Sequence, residues 1–427
     1  MHRLRSRVHA HLEVIYGDKA KDIVDSVIGA MRYLDTVSEP EPYQNYWDES
    51  DCWMITYASS IREEGQPGLK TLQAFCDKYL ADTVNGLHIL PFYPYSSDDG
   101  FAVMDYCAVD EANGSWEDIQ SIASRYRLMA DLVINHASSQ SKWFQNFISR
   151  KDPGKDYFKE TSPEEDLSLV VRPRSTPLRT EVETIDGKRW VWCTFGPDQV
   201  DLDFGNPDVL LEFIEIIRFY LANGIRVFRL DAVAFLWKEP GTSSLHDQRT
   251  HEIIKLIRTL IDFYDPSVMI ITETNVPNRD NLTYFGNSNE AHAIYNFSLP
   301  PLMVHTLLTG DCRHLKTWMM SMPPARGGTT YFNFLASHDG IGMRPADGLL
   351  SEAEKTSLLE TLQSFGGRIS LRTGPDGATK PYEANISLID ALAGSEEGRD
   401  EFQVDRFICA HAIMLALEGV PGIYIHS

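Results

Sequence analysis

Residues 224–233 read GIRVFRLDAV, an apolar run that carries an arginine and an aspartate two positions apart near its end. If the run forms a β-strand, Arg229 and Asp231 project from the same face, because side chains alternate across a strand. A guanidinium beside a carboxylate favours the ionised form of that carboxylate, whereas burial alone favours the neutral acid. The pair therefore predicts either a buried structural ion pair or a carboxylate that acts as a nucleophile, and the rest of the chain must decide.

Seven other apolar stretches also have the character of buried strands and alternate with helical patterns. The predicted strands span residues 52–59, 86–92, 128–135, 268–274, 291–297, 331–337 and 422–425. The intervening helices are predicted at residues 68–80, 116–126, 207–223, 245–264, 302–308 and 406–417. Apolar parallel strands separated by helices are typical of α/β proteins, and eight of them predict a (β/α)₈ TIM barrel. An open doubly wound sheet is the alternative, weakened because no GxGxxG or GxxxxGK[ST] motif follows the first strand.

The spacing of these elements predicts how the chain is organised. Residues 1–51 are expected to form an N-terminal helical extension with a helix at 18–34, and residues 52–427 to form the catalytic barrel. A Pro- and charge-rich stretch at 137–203 predicts an insertion subdomain after the third strand, and a Gly- and Ser-rich stretch at 340–400 predicts a long loop. Loops of that length usually serve as lids or binding loops. The chain ends at the predicted eighth strand, so we expect the eighth helix and a C-terminal domain to be absent.

Composition restricts the classes of partner. The chain has 427 residues and a net charge of −22, from 39 basic and 61 acidic side chains, which argues against binding to nucleic acid or to an anionic membrane. No apolar run reaches the roughly 18 residues of a membrane span, and the N-terminus lacks a signal-peptide core. Six scattered cysteines without metal-ligand spacing predict reduced thiols, no metal site and a cytoplasmic location. The sequence does not indicate an oligomeric state.

Polar side chains gather at the C-terminal ends of four predicted strands, where barrel enzymes carry their chemistry. They are Asp131, Asn135 and His136 on the third strand, Arg229 and Asp231 on the fourth, Glu273 on the fifth, and His338 and Asp339 on the seventh. Each has a structural explanation of its own, such as a core histidine, a strand-end cap or a turn residue. Buried ionisable groups cost free energy unless they are paired, so the set as a whole favours an active site.

Four of these segments, in the same order, resemble the signature regions of the α-amylase superfamily of retaining α-glycosidases. They are DLVINH (131–136), GIRVFRLDAV with Lys238, ITET (271–274) and ASHD (336–339). The resemblance implies that Asp231 is the nucleophile, Glu273 the general acid/base and Asp339 the carboxylate that stabilises the transition state. It also implies that Arg229 keeps Asp231 ionised and that His136 and His338 hydrogen-bond the bound sugar. Retention by two carboxylates requires a separation of about 5 Å and a raised pKa on the acid.

Other segments resemble the sucrose-phosphorylase branch, in which inorganic phosphate rather than water attacks the glucosyl enzyme and releases α-glucose 1-phosphate. They include residues 89–106, RPRSTP (172–177), residues 191–207 and HDGIG (338–342). The resemblance implies that Asp98 binds the glucose, that Phe101 and Phe195 form apolar walls, and that Arg174 meets the phosphate. Phosphate prefers cationic, bidentate donors, and Arg172 and Arg174 form a local basic pair, although solvated loop arginines are the alternative.

The acceptor is less well specified. The segments PYSSDDGF (94–101) and GPDGATKPYEANISLIDAL (374–392) are more similar to relatives acting on glucosylglycerate, glucosylglycerol or sucrose 6-phosphate than to true sucrose phosphorylases. Arg368 and Arg372 either meet an anionic acceptor or are plain surface charges. The expected function is an α-glucoside phosphorylase that uses a small glucoside and inorganic phosphate, without metal or organic cofactor. A hydrolase or transglucosidase of the same superfamily, and a non-catalytic sugar-binding barrel, are the alternatives.

Overall fold

Eight parallel strands form a closed barrel in the computed structural model, which describes residues 1–33, 40–41, 43–373 and 379–427. Each strand pairs with its neighbours in chain order, and the eighth pairs with the first. The barrel strands are β1 (Trp53–Thr56), β2 (Gly86–Ile89), β3 (Arg127–Val133), β4 (Ile225–Asp231), β5 (Met269–Thr272), β6 (Ala293–Tyr295), β7 (Thr330–Phe334) and β8 (Val420–Tyr424). The predicted (β/α)₈ fold is confirmed, and the alternative of an open sheet is wrong because β1 and β8 are hydrogen-bonded to each other.

The register between neighbouring strands positions the polar residues. Asp131 lies opposite Arg229, and Val133 lies opposite Asp231, in the pairing of β3 with β4. On the other side of β4, Leu230 pairs with Thr272 of β5, so that the next residues, Asp231 and Glu273, follow side by side. The three strands therefore bring their terminal polar side chains to one end of the barrel.

Helices cover the outside of the barrel at the six predicted places, and Asn278–Asn281 and Arg313–Ser321 are two further helices that were not predicted. Their bounds are Gly68–Tyr79, Trp116–Ala123, Pro207–Ala222, Gln248–Tyr264, Asn278–Asn281, Leu299–Thr309, Arg313–Ser321 and Gln403–Leu415. Local signals fix several ends: the Asn206 side chain accepts from Asp208 N, with Pro207 in the first turn, and the Asp247 side chain accepts from Arg249 N. The helix expected from residue 245 begins at Gln248 for this reason. No helix in the described residues is long and apolar enough to span a membrane.

Two helices, His2–Tyr16 and Ala20–Met31, form the N-terminal extension. The first packs on the helix Gln248–Tyr264 and the second on the helix Pro207–Ala222. The second helix was predicted at 18–34; it ends at Met31, before an Arg32 in the left-handed conformation, and residue 34 lies outside the described residues. The first helix was not predicted, although its buried residues Leu4, Val8, Leu12 and Ile15 follow helical spacing.

The segment 137–203, predicted as an insertion subdomain, begins directly where β3 ends. A short antiparallel pair joins His136–Ser138 to Gln199–Asp201. Between these two strands lie the helix Lys142–Ile148 and a sheet formed by Glu160–Thr161, Arg179–Thr184 and Gly187–Trp192. Both ends of the segment are thus tied together beside His136, which connects the insertion to the polar end of the barrel.

The segment 340–400 was predicted as a long loop, and that prediction is wrong for much of its length. It contains the helix Glu352–Ser364, which begins at a capping box formed by Ser351 and Glu354. The hairpin of Arg368–Thr373 and Thr379–Asn385 follows, with Ile341–Gly342 as the third strand of its sheet. The remaining short elements are the helix Leu388–Ala391 and the strands Gly394–Ser395 and Gly398–Arg399. The serines and glycines that suggested a loop act here as caps and turns.

Candidate active site

A cavity of about 240 Å³ opens at the C-terminal ends of the barrel strands. Its lining includes most of the predicted site residues: Asp98, Phe101, His136, Arg174, Phe195, Asp231, Glu273, His338 and Asp339. These residues come from the ends of β3, β4 and β5, from the segment after β7, from the loop after β2 and from the insertion after β3. The sequence therefore predicted correctly that they meet, and we refer to this space as the reaction cavity.

Asp231 is the last residue of β4 and is buried, with the guanidinium of Arg229 against it. Arg229 Nη1 donates to Asp231 Oδ1 at 2.8 Å and also contacts Asp131 Oδ1. His88 Nε2 lies 2.7 Å from Asp131 Oδ2 on the far side. Asp131 and Arg229 are on facing positions of β3 and β4, so this chain of contacts follows directly from strand register. The arrangement leaves one Asp231 oxygen outside the Arg229 hydrogen bond.

Burial and the neighbouring charges together shift the pKa values of the carboxyl groups around Arg229. Burial alone would raise the pKa of Asp131, but Arg229 and His88 outweigh it and lower the pKa to about 2. Burial and the neighbouring Glu273 carboxyl raise the pKa of Asp231, whereas Arg229 opposes the shift. Arg229 donates directly to Asp231, so its guanidinium favours the ionised form of that carboxyl.

Glu273 directly follows β5 and faces the reaction cavity. Its Oε2 accepts a hydrogen bond from the Ala232 backbone N–H at 2.9 Å, and Ala232 is held at a positive φ of 49°. Burial raises the pKa of Glu273, Arg229 lowers it, and the nearby Asp339 raises it further. A carboxyl with a raised pKa beside a carboxyl that is hydrogen-bonded to an arginine suits a general acid and a nucleophile.

His338 and Asp339 follow β7 and form one wall. The His338 ring stacks on Phe101 with centroids 4.8 Å apart and planes 9° from parallel, and its Nε2 lies 3.5 Å from Asp339 Oδ2. Burial lowers the pKa of His338, so the ring is neutral at neutral pH and can both donate and accept. Asp339 remains partly exposed and points its carboxylate into the reaction cavity.

Asp98 and His136 also line the reaction cavity and are joined through Gln199. Gln199 Nε2 donates to Asp98 Oδ2 at 2.8 Å and lies 3.1 Å from His136 Nε2, which is itself 3.0 Å from the Phe101 carbonyl. The Phe195 ring lies 5.2 Å from the His136 ring. The Asp98 carboxylate, the His136 imidazole and the Phe195 ring together suit a ligand rich in hydroxyls. Gln199 was not identified from the sequence.

The Asp198 carboxylate, here called the clamp, joins the loops that carry Asp98 and His136. The Asp198 carboxylate accepts hydrogen bonds of 2.5 Å from the hydroxyls of Ser96, Ser97 and Ser139. These serines belong to the loop after β2 and to the insertion after β3, and they flank Asp98 and His136 in sequence. The clamp therefore fixes two separate loops relative to Gln199, the neighbour of Asp198.

Of the four arginines predicted to meet phosphate or an acceptor, only Arg174 lines the reaction cavity. Within the described parts of the chain no hydrogen bond or ion pair engages its guanidinium. Arg172 instead donates from Nη1 to the Thr176 carbonyl at 2.5 Å and braces its own loop. Arg368 is exposed, and Arg372 lines a separate cavity, so neither faces the reaction cavity. The hairpin has a bulge at Tyr382, opposite Ser370 and Leu371, and Ser370 lines the reaction cavity whereas Arg372 does not.

The sequence reasoning missed Tyr382 and Glu383, which the hairpin strand Thr379–Asn385 brings into the reaction cavity. Burial, together with Asp339, raises the pKa of Glu383 to about 8 against the opposing effect of Arg174. Asn275 Nδ2 lies 3.4 Å from Glu383 Oε1, and Asn275 Oδ1 is buried without a partner. An acidic residue inside PYEAN has no local signal for burial, since its position depends on a hairpin that folds back over the barrel.

Comparisons with known proteins agree with this geometry. The family model of the α-amylase catalytic domain matches residues 73–343. The glucosylglycerate phosphorylase of Allomeiothermus silvanus is 44% identical over 99% of this chain and 76% of its own length, and that of Escherichia coli K12 is 43% identical over the same shares. The crystal structure of sucrose 6F-phosphate phosphorylase from Thermoanaerobacter thermosaccharolyticum matches 88% of this chain and 77% of that one, with a TM-score of 0.77 and 26% identity. The chain therefore belongs to the α-amylase family, in its sucrose-phosphorylase-like branch of glucoside phosphorylases.

Proposed function

We propose that the chain is a retaining phosphorylase that transfers the glucosyl unit of an α-glucosylglycerate to inorganic phosphate and releases α-glucose 1-phosphate and glycerate. The observation that carries the proposal is the reaction cavity itself, which three groups face: a carboxylate held by an arginine, a carboxyl of raised pKa, and a guanidinium that has no hydrogen bond or ion pair among the described residues. The first two groups suit retaining glycosyl transfer, and the third suits an anionic co-substrate.

The first step cleaves the donor. Asp231 attacks the anomeric carbon and forms a glucosyl ester of β configuration, while Glu273 donates its proton to the glycosidic oxygen and glycerate leaves. Asp231 and Glu273 each directly follow one member of the pair Leu230 and Thr272 on adjacent strands. The backbones of adjacent strands lie about 4.8 Å apart. That spacing agrees with the roughly 5–5.5 Å between the carboxyl groups of retaining enzymes, which leaves no room for a water between nucleophile and sugar.

The second step transfers the glucosyl unit. A phosphate oxygen attacks the same carbon and breaks the ester bond to Asp231, while Glu273 takes the proton of a protonated phosphate. Two inversions give the α product. Asp339 faces the same cavity and is suited to stabilise the positive charge that develops on the sugar ring. Arg174 supplies the cation that phosphate needs within an otherwise carboxylate-rich cavity.

Glycerate is favoured as the leaving group by two considerations. The glucosylglycerate phosphorylases are 43–44% identical to this chain, whereas the sucrose phosphorylases of Streptococcus mutans and Bifidobacterium adolescentis are 29% and 27% identical. In addition, Arg174 can pair with a carboxylate in the first step and with phosphate in the second, because glycerate and phosphate occupy the same side of the sugar in turn. The proposal includes a cytosolic location and no requirement for metal or organic cofactor.

One panel tests the proposal. The protein is incubated with glucosylglycerate, glucosylglycerol, sucrose or sucrose 6-phosphate, with and without inorganic phosphate, and α-glucose 1-phosphate and free glucose are both measured. We expect glucose 1-phosphate to form fastest from glucosylglycerate, only with phosphate present, and not with Asp231→Asn. Free glucose at a rate independent of phosphate would indicate a hydrolase, and tight binding without turnover would indicate a sugar-binding barrel.

Phosphate use is tested separately. Arg174→Gln is expected to raise the KM for phosphate roughly 10- to 100-fold, the effect of losing a charge-assisted hydrogen bond. The KM for phosphate should rise much more than the dissociation constant of glucose, whose proposed contacts do not include Arg174. Equal losses for phosphate and glucose would contradict the phosphate-binding role.

A further inference from the structure

A second cavity, of about 300 Å³, lies on the outer side of the hairpin that borders the reaction cavity. It is bounded by residues 343–347, by the first half of the helix Glu352–Ser364 and by the two hairpin strands near 372 and 380. None of its lining residues lines the reaction cavity. Its volume is at the lower end of the range for small-molecule sites, about 300–1,000 Å³.

The charge of this second cavity is opposite to that of the chain. Four cationic side chains and two carboxylates line it, whereas the whole chain carries a net charge of −22. Both carboxylates are engaged by a single cation: Lys355 Nζ donates to Asp347 Oδ1 at 2.6 Å and lies 2.5 Å from Glu352 Oε1. The carboxylates are therefore held to one side, and the other three cations are Arg344, Arg372 and Lys380.

The two arginines of this group lack partners. In the described residues, no hydrogen bond or ion pair engages the guanidinium of Arg344 or Arg372, and Arg372 Nε is buried without any acceptor. Burial lowers the pKa of Arg344, and the nearby Arg372 contributes to the shift in the same direction. Two guanidinium groups that repel each other in a half-buried space cost free energy unless an anion sits between them.

We propose that this second cavity is a binding site for a phosphate group, separate from the site of glucosyl transfer. Planar guanidinium groups bind phosphate through paired N–H donors, and Lys380 adds a flexible cation at the exposed edge. A purely solubilising role suits exposed lysines but does not suit a buried Nε that has no acceptor. The bound group is either inorganic phosphate or the phosphate of a small monoester, and both classes occur in the proposed reaction.

Phosphate bound in the second cavity is expected to affect the reaction cavity through the one strand that lines both. The strand Thr379–Asn385 lines the second cavity with Lys380 and Pro381 and the reaction cavity with Tyr382, Glu383 and Asn385. Met343 N donates to the Tyr382 carbonyl at 2.9 Å, which joins the backbone beside Arg344 to the same strand. An anion that draws Arg344 and Lys380 together would therefore restrain the residues that face the acceptor.

The test measures binding rather than turnover, so that it does not depend on the proposed function. Inorganic phosphate is titrated calorimetrically into the Arg174→Gln protein, in which the phosphate contact of the reaction cavity has been removed. We expect one phosphate site to persist, and the further change Arg344→Gln or Arg372→Gln to weaken it roughly 10- to 100-fold. The same titrations with α-glucose 1-phosphate show whether the site prefers the free ion or the monoester.

Arg368→Gln is the matched control, because Arg368 lies on the same strand as Arg372 but lines neither cavity. It should leave the phosphate affinity unchanged. Loss of all phosphate binding in Arg174→Gln alone, or equal affinities with and without Arg344 and Arg372, would overturn the proposal. If Arg344→Gln lowers the thermal stability of the free protein, the test uses Arg372→Gln and Lys380→Gln instead, because Arg372 is partly exposed and Lys380 is exposed.

Discussion

At the scale of single residues, one guanidinium distinguishes the carboxyl proposed as nucleophile from the carboxyl proposed as acid/base. Arg229 bridges Asp131 and Asp231, and it does not touch Glu273. Asp131 is committed to Arg229 and His88, so its charge does not move during the reaction. We therefore expect Asp231 to act as the ionised nucleophile and Glu273 as the protonated acid, a difference that follows from the direction in which Arg229 points.

Glu273→Gln tests this division. The amide cannot give a proton to the glycosidic oxygen, so kcat for glucosylglycerate should fall by about 10²–10⁴, the usual contribution of general acid catalysis. A donor with a better leaving group, α-glucosyl fluoride, needs little protonation, and its first step should be much less affected. Steady-state rates with the two donors provide the measurement. An equal loss for both donors would show that Glu273 has another role, such as holding Ala232 N–H in place.

Glu383 is expected to make the binding of glycerate depend on pH. Its pKa is raised to about 8, so the side chain is neutral below that pH and becomes an anion above it. The groups facing it are the cation Arg174 and the acids Asp339 and Glu273. A charged Glu383 would repel glycerate beside Arg174, so we expect the dissociation constant of glycerate to rise up to tenfold for each pH unit above about 8.

Glu383→Gln should remove this dependence, because the amide stays neutral at every pH. Glycerate is a suitable probe because its own carboxyl is fully ionised throughout the range from pH 7 to 9.5. D-Glucose, which carries no charge, serves as the control ligand and should bind equally at both ends of the range. A steep loss of glycerate affinity that persists in Glu383→Gln would assign the titration to another group.

At the scale of elements, close packing of the strands restricts some positions to glycine. A Cβ added to Gly86 in β2 would lie 2.2 Å from Cδ2 of Trp53 on the neighbouring strand β1, well inside contact distance. Gly29, in the helix Ala20–Met31, has no atom within 4 Å of its added Cβ. We expect Gly86→Ala to lower the free energy of unfolding by about 1–3 kcal/mol or more, and Gly29→Ala to raise it by about 0.4–1 kcal/mol. Urea denaturation of the two variants measures both effects, and similar values would contradict the packing argument.

The same scale shows what sequence can predict. All eight barrel strands and the three carboxylates that line the reaction cavity at strand ends could be located, because apolar runs, strand periodicity and strand-end polarity are properties of neighbouring residues. Glu383, Gln199 and the second cavity could not, since they depend on how a hairpin and an insertion fold back over the barrel. Arg368 and Arg372 illustrate the limit: both lie in the stretch predicted as a loop, and only the packing of the hairpin shows that neither faces the reaction cavity.

At the scale of the whole molecule, the N-terminal helices belong to the same structural unit as the barrel. Leu4, Val8 and Leu12 are fully buried, and they belong to one hydrophobic core with the residues of the barrel strands. His11 Nδ1 lies 2.6 Å from Glu252 Oε1, and the Tyr16 hydroxyl donates to the Phe204 carbonyl at 2.9 Å. An extension joined this way should not unfold separately.

Leu12→Ala tests this unity. Removing a fully buried leucine should lower the free energy of unfolding by about 2–5 kcal/mol, through lost burial and the cavity that remains. If the helices and the barrel unfold together, chemical denaturation followed by tryptophan fluorescence and by circular dichroism should give one shared, shifted transition. Glu13→Ala, at the exposed neighbouring position, is the control and should change stability by less than about 0.5 kcal/mol. Loss of helical circular dichroism at a lower denaturant concentration than the change in tryptophan fluorescence would contradict this prediction. It would show that the N-terminal helices unfold independently of the barrel.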